Sequence, residues 1–170
     1  ISGPYAEINN SFNFKLKRLA VNMFVPTTCD LTPDQYKGKC LQDLNKINTE
    51  NNSLPDICPE AKKLMELTNA FECLDNLCSC KYAIIYSRMQ KDSLQRMEAF
   101  GLYKDFRLPD NYFDFLKEIP LNDPDALLCY NFSSAIPFPG YYDPYVDEDE
   151  YNKYILANAP MSQEEKEIIK

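Results

Sequence analysis

Seven cysteines stand at Cys29, Cys40, Cys58, Cys73, Cys78, Cys80 and Cys129, and the chain contains no histidine. Without an imidazole, Ser-His-Asp and Cys-His catalysis, histidine-ligated metals and histidine pH switches all fall away. Two chemistries stay open to the thiols. Three sulfurs of the Cys73-x4-Cys78-x-Cys80 cluster could join a fourth around zinc, but the spacing lacks the paired knuckles of a zinc ribbon. A redox motif would want Cys-x-x-Cys in a βαβ setting, and neither is present. The cluster therefore reads as a corner where helices are stapled to their neighbours, and neither a metal nor a cofactor is expected. Cys78 and Cys80 are poorly placed to bond each other and should reach different partners. The count predicts three disulfides and one leftover thiol. Cys29 and Cys40 are expected to bond locally or flank one corner, and Cys129 to be tied back to the cluster. A Cys80–Cys129 bond would close a loop of about 50 residues and stabilise by about 4 kcal/mol. The odd thiol leaves a disulfide-linked or other homodimer open.

Three sequons accompany the cysteines, at Asn9-Asn10-Ser11, Asn51-Asn52-Ser53 and Asn131-Phe132-Ser133. Together they predict a secreted glycoprotein with glycans on Asn9, Asn51 and Asn131. The start at Ile1 rather than Met reads as a processed N-terminus. No apolar run approaches the roughly 18 residues of a spanning helix. Asp105, Asp110, Asp114 and Glu118, near Tyr103 and Tyr112, suggest a glycosidase-like acid pair. An acidic chain produces that density on any solvated helix face, so no enzyme activity is expected.

The net charge of −8 is unevenly spread. Residues 135–170 hold three lysines against eight acids, and the rest holds 15 bases against 18 acids. A phosphate backbone would be repelled, so nucleic acid is not an expected partner. The acidic excess centres on Tyr141, Tyr142, Tyr145, Asp147, Glu148, Asp149, Glu150 and Tyr151. Tyrosines beside acids are substrates for sulfation in the secretory pathway. Such a strip suits a basic groove, where charge steers the encounter and rings supply contact area. The plainer alternative is a solvated linker whose tyrosines pack on the body.

The elements that must carry these residues are helical. Twelve prolines and only four glycines predict many short helices rather than a hairpin-rich sandwich. Phe12, Leu16, Leu19, Ala20 and Met23 share a helical face over Phe12–Phe24, closed by Pro26; the rival reading is a strand, because Phe12, Phe14 and Leu16 also alternate. Thr32-Pro33-Asp34-Gln35 carries an N-cap, a proline at the first helical position and a capping-box glutamine. Tyr36, Cys40, Leu41, Leu44 and Ile47 follow as a stripe, with an Asn-rich loop expected over 45–53. Pro59 opens a third helix with Ala61, Leu64, Met65, Thr68, Phe71 and Leu74 inward. A fourth runs from Tyr82 to Phe100, with Gly101 as its cap. Pro109 starts a fifth through Tyr112, Phe113, Leu116 and Ile119, and Pro124 a sixth with Leu127, Leu128 and Cys129. Ser162-Gln-Glu-Glu165 matches a last capping box.

The expected architecture is mainly α: a disulfide-stapled bundle of about six short helices over 1–134. An acidic, tyrosine-rich C-terminal arm over 135–170 follows, ending in a short helix. The expected function is that of a secreted, non-enzymatic binding protein of effector or inhibitor type. Its partner would be a protein with a basic surface, met through the arm. The competing expectation is a carrier of a small apolar ligand in a cavity between helices.

Overall fold

The structure is a computed structural model that describes residues 5–20, 26–93, 106–129 and 131–132. The expected mainly helical fold is what it shows. Four α-helices form among these residues, α1 (Ala6–Phe14), α2 (Pro33–Ser53), α3 (Pro59–Cys78) and α4 (Cys80–Asp92). Three 3-10 helices join them, Pro26–Asp30, Tyr112–Glu118 and Pro124–Leu128, and no strand forms among the described residues. None of these helices is long and apolar enough to cross a membrane. The C-terminal arm, Gly101 and the capping box at Ser162 lie outside the described residues.

α2 starts where its local chemistry dictates. Thr32 Oγ1 accepts from Gln35 N at 3.2 Å, and Thr32 N donates to Gln35 Oε1 at 2.9 Å. Two orphan amides of the first turn are thereby satisfied. The helix then continues to Ser53, through the stretch expected to be a loop. Asparagine is a mediocre helix former rather than a breaker, and tertiary partners described below hold these asparagines in place.

α2 and α3 form an antiparallel hairpin. Asn52 Nδ2 reaches Glu66 at 2.5 Å near the turn, and the Tyr36 hydroxyl reaches Asn76 O at 3.0 Å at the far end. α3 is the central element, with Ala61, Met65, Leu67, Thr68, Asn69, Ala70, Phe71, Glu72, Cys73, Leu74, Asn76 and Leu77 all buried. Its last carbonyls are capped by side chains from elsewhere. Tyr36 donates to Asn76 O, and Tyr112 donates to Leu77 O at 2.9 Å. Satisfied in this way, α3 stops at Cys78, and α4 starts one residue later, beyond Ser79.

Three boundaries differ from expectation. The first helix lies earlier, at Ala6–Phe14, and the chain from Lys15 to Ala20 leaves the helix to lie against α2 and α3. α4 ends at Asp92 rather than Phe100, because Ser93 adopts φ 53 and caps it in the left-handed region. Its buried face is Cys80, Ala83, Ile84, Ile85 and Ser87, while Tyr82, Tyr86 and Met89 are only half-buried. The fifth and sixth helices are short 3-10 helices, Tyr112–Glu118 and Pro124–Leu128, rather than α-helices. Tyr112, Phe113, Leu116 and Ile119 are nonetheless buried as their pattern requires.

Candidate functional site

No disulfide forms among the seven cysteines, so the expected stapling of Cys29, Cys40, Cys58, Cys73, Cys78, Cys80 and Cys129 is not seen. The geometry supplies the reasons. Cys29 belongs to the 3-10 helix that lies along α4, where its carbonyl accepts from Arg88 Nε at 2.7 Å. Cys40 faces α3, where Cys73 Sγ donates to its carbonyl at 3.6 Å. These two cysteines therefore serve different neighbours. Cys129 sits beside Thr68 Oγ1 at 3.7 Å and Leu64 O at 3.9 Å. Cys80 lies beyond the other end of α3, about 15 Å along a helix from Thr68 at 1.5 Å per residue. No disulfide spans that gap.

Cys40, Cys73 and Cys80 join one core with Tyr36, Phe71, Leu77, Ile84, Tyr112 and Phe115. Burial is the main cause that pushes the Cys40 thiol up to about 11, and Cys73 and Cys80 each up to about 12. Burial likewise raises Tyr36 and Tyr112 above the ordinary phenol value. Such thiols stay protonated at neutral pH and pack as small apolar side chains. Among the described residues no group of three or more Cys, Asp or Glu is arranged to hold a metal ion.

The polar chemistry lies along the flank of the hairpin where the segment Lys17–Ala20 crosses α2 and α3. Asn51, on the last turns of α2, accepts from Lys17 N at 2.7 Å and donates to Lys17 O at 2.7 Å. Asn69 of α3 accepts from Leu19 N at 2.8 Å and donates to Asn48 Oδ1 at 3.1 Å and Lys17 O at 3.4 Å. Asn76, two turns further along α3, donates to Ala20 O at 3.4 Å. One amide can bond both N–H and C=O of a single residue only where the two point the same way, as they do in extended backbone. Lys17 is thus read as a strand residue by a side chain standing in for a neighbouring strand.

Charge and burial follow the same pattern. Leu16 and Leu19 are buried, while Lys17 and Arg18 between them face acids. Lys17 Nζ pairs with Glu50 at 2.7 Å, and Arg18 pairs with Glu72, a carboxylate only 5 % exposed. The exposed Glu50 carboxyl is held below its ordinary range, first by its hydrogen bond to Lys17.

Asn51 was singled out from the sequence only as a glycan acceptor, and Asn48, Asn69, Glu72 and Asn76 were not singled out, although a signal existed. Asn69, Glu72 and Asn76 recur at helical spacing on one flank of an amphipathic helix, a polar row that burial makes meaningful.

The sequons divide. Asn9 is exposed on α1 and open to a glycan. Asn51 and Asn131 are 1 % and 5 % exposed. Their Nδ2 atoms donate to Lys17 O at 2.7 Å and Thr68 O at 2.9 Å. A glycan on either nitrogen would break these bonds and displace the packed segment, so the folded domain has room for a glycan at Asn9 alone among the three. Of the acids expected on a solvated face, Asp110, Asp114 and Glu118 are exposed, and Asp105 lies outside the described residues. Tyr141, Tyr142, Tyr145, Asp147, Glu148, Asp149, Glu150 and Tyr151 also lie outside them.

Comparison with known protein families, with curated proteins and with solved structures finds no significant match to the chain.

Proposed function

We propose that this chain is a non-enzymatic binding protein of effector or inhibitor type. It acts outside the cell on a protein partner with a basic surface. The observation that carries the reading is its charge: −8 overall and no histidine, with five of the eight excess negative charges in residues 135–170. An acidic surface of this kind accelerates encounter with a basic one and discourages nucleic acid. The interior supports binding over ligand carriage, because Phe71, Leu77, Ile84, Tyr112 and Phe115 occupy the centre of the bundle with almost no exposure. Extracellular location rests on the Asn9 sequon.

The arm is the proposed point of first contact, with Tyr141, Tyr142, Tyr145 and Tyr151 among the acids Asp147–Glu150. Sulfation of those tyrosines would add charge to rings already suited to contact. Truncation after Gly140 is expected to weaken capture of the partner strongly while far-UV circular dichroism keeps its helical signal. Association of the full chain should slow as salt is raised. Unchanged binding at every salt concentration, or loss of the helical signal on truncation, would overturn the assignment to the arm.

A further inference from the structure

The asparagine row between α2 and α3 recognises backbone rather than side chains. Asn51 closes both bonds on Lys17, and Asn69 bridges Lys17 and Leu19. Asn76 continues the row but makes only one of its two available contacts along the segment. Its Nδ2 reaches Ala20 O at 3.4 Å, while its Oδ1 is buried and has no partner among the described residues. A buried carbonyl oxygen left unbonded is uncommon, because its desolvation goes uncompensated. Here it marks a reading position that residues 16–20 do not fill.

The rest of the site defines what it takes. Backbone bonding of this kind is the chemistry by which proteins bind extended peptides, with pockets for selected side chains adding specificity. Two apolar positions are buried, at Leu16 and Leu19. Between them Glu50 meets the first cation and Glu72 the second. We propose that this groove is a peptide site for an extended, basic segment flanked by leucines on a partner protein. Residues 16–20 are its built-in occupant, holding the groove closed until such a segment replaces them. The inference deepens the protein-binding reading and rests on it: the basic partner supplies a Leu-Lys-Arg-Leu-like strand.

The test uses the full chain carrying Lys17→Pro, which removes the N–H that Asn51 Oδ1 accepts and so loosens the occupant. The probe is a fluorescent, end-blocked hexapeptide of the sequence Lys-Leu-Lys-Arg-Leu-Ala. The variant is expected to bind it more tightly than the wild-type chain, whose own segment competes. Adding Asn51→Ala should lower that affinity by about tenfold or more, as should N-methylation of the second lysine of the peptide. If Lys17→Pro alone unfolds the chain, the plain peptide should restore the helical signal and the N-methylated one should not. Equal action of the two peptides, or no binding and no rescue, overturns the proposal. A dimer of Lys17→Pro chains that the peptide dissociates would assign the groove to a second copy and overturn the partner assignment. Capture of a partner by the full chain through the arm alone would sink the groove and leave the protein-binding reading standing. Absence of any captured partner would sink that reading instead.

Discussion

At the turn end of the α2–α3 hairpin, Asn48, Asn51 and Asn69 are knitted to each other and to Lys17 and Leu19 by hydrogen bonds of 2.7–3.4 Å. At the far end the same two helices meet through Tyr36, Cys40, Cys73 and Leu77, with α4 and Tyr112 closing over them. That end makes few polar contacts, and its two buried hydroxyls cap the carbonyls of Asn76 and Leu77. The difference separates two tasks. Apolar burial is non-directional and supplies most of the folding free energy. Buried amides add little net stability when satisfied and cost much when not, so they fix which backbone lies where. One end holds the bundle together, and the other selects what lies across it.

The sharpest way to break the comparison is to damage each end and compare the losses. Phe71 is fully buried in the far-end core and packs edge-on to Phe132 at 4.9 Å between ring centroids. Phe71→Ala should cost about 3–5 kcal/mol, read as a fall in the urea midpoint, since it removes a ring and leaves a cavity. Asn51→Ala comes next, at about 1–3 kcal/mol, because Lys17 N loses its acceptor and Lys17 O keeps only the 3.4 Å bond from Asn69. Its signature should be local: faster amide hydrogen exchange at Lys17 and Leu19, with the amides of α4 unchanged. If α4 loosens equally, the two ends are one cooperative unit and the division fails.

The smallest effect is expected at Asp75, in the last turn of α3. Burial first, then the neighbouring Glu72 charge, raises its carboxyl above the ordinary value. A carboxyl raised on folding destabilises the fold once it ionises. The penalty is absent below the unfolded pKa, grows as pH rises towards the folded one, and is complete above it. Asp75→Asn should therefore stabilise the chain at about pH 7 and give no gain at about pH 3, compared by thermal midpoints. A loss of stability at neutral pH would show that the carboxylate has a structural partner after all.

The sequence by itself determined much of the helical frame. Thr32 to Gln35 specified a cap through neighbours three residues apart, and Pro59 set the start of α3 by lacking an N–H. Ala61, Met65, Thr68, Phe71 and Leu74 fell inward because a 3.6-residue period needs only local geometry. Tertiary structure decided the rest. The stretch 45–53 is helix rather than loop because Asn48 and Asn51 find partners on α3 and on Lys17, far away in sequence. Whether a cysteine pairs depends on distances between elements, so counting sulfurs could not reveal that Cys29 lies along α4 and Cys129 beside Thr68, while Cys40 and Cys80 share one core. A sequon is likewise a three-residue pattern, whereas burial of Asn51 and Asn131 is set by chain 34 and 63 residues away. The asparagine groove belongs wholly to this second class: its residues come from three separate elements, and only packing brings Asn51, Asn69 and Asn76 into one row beneath Lys17–Ala20.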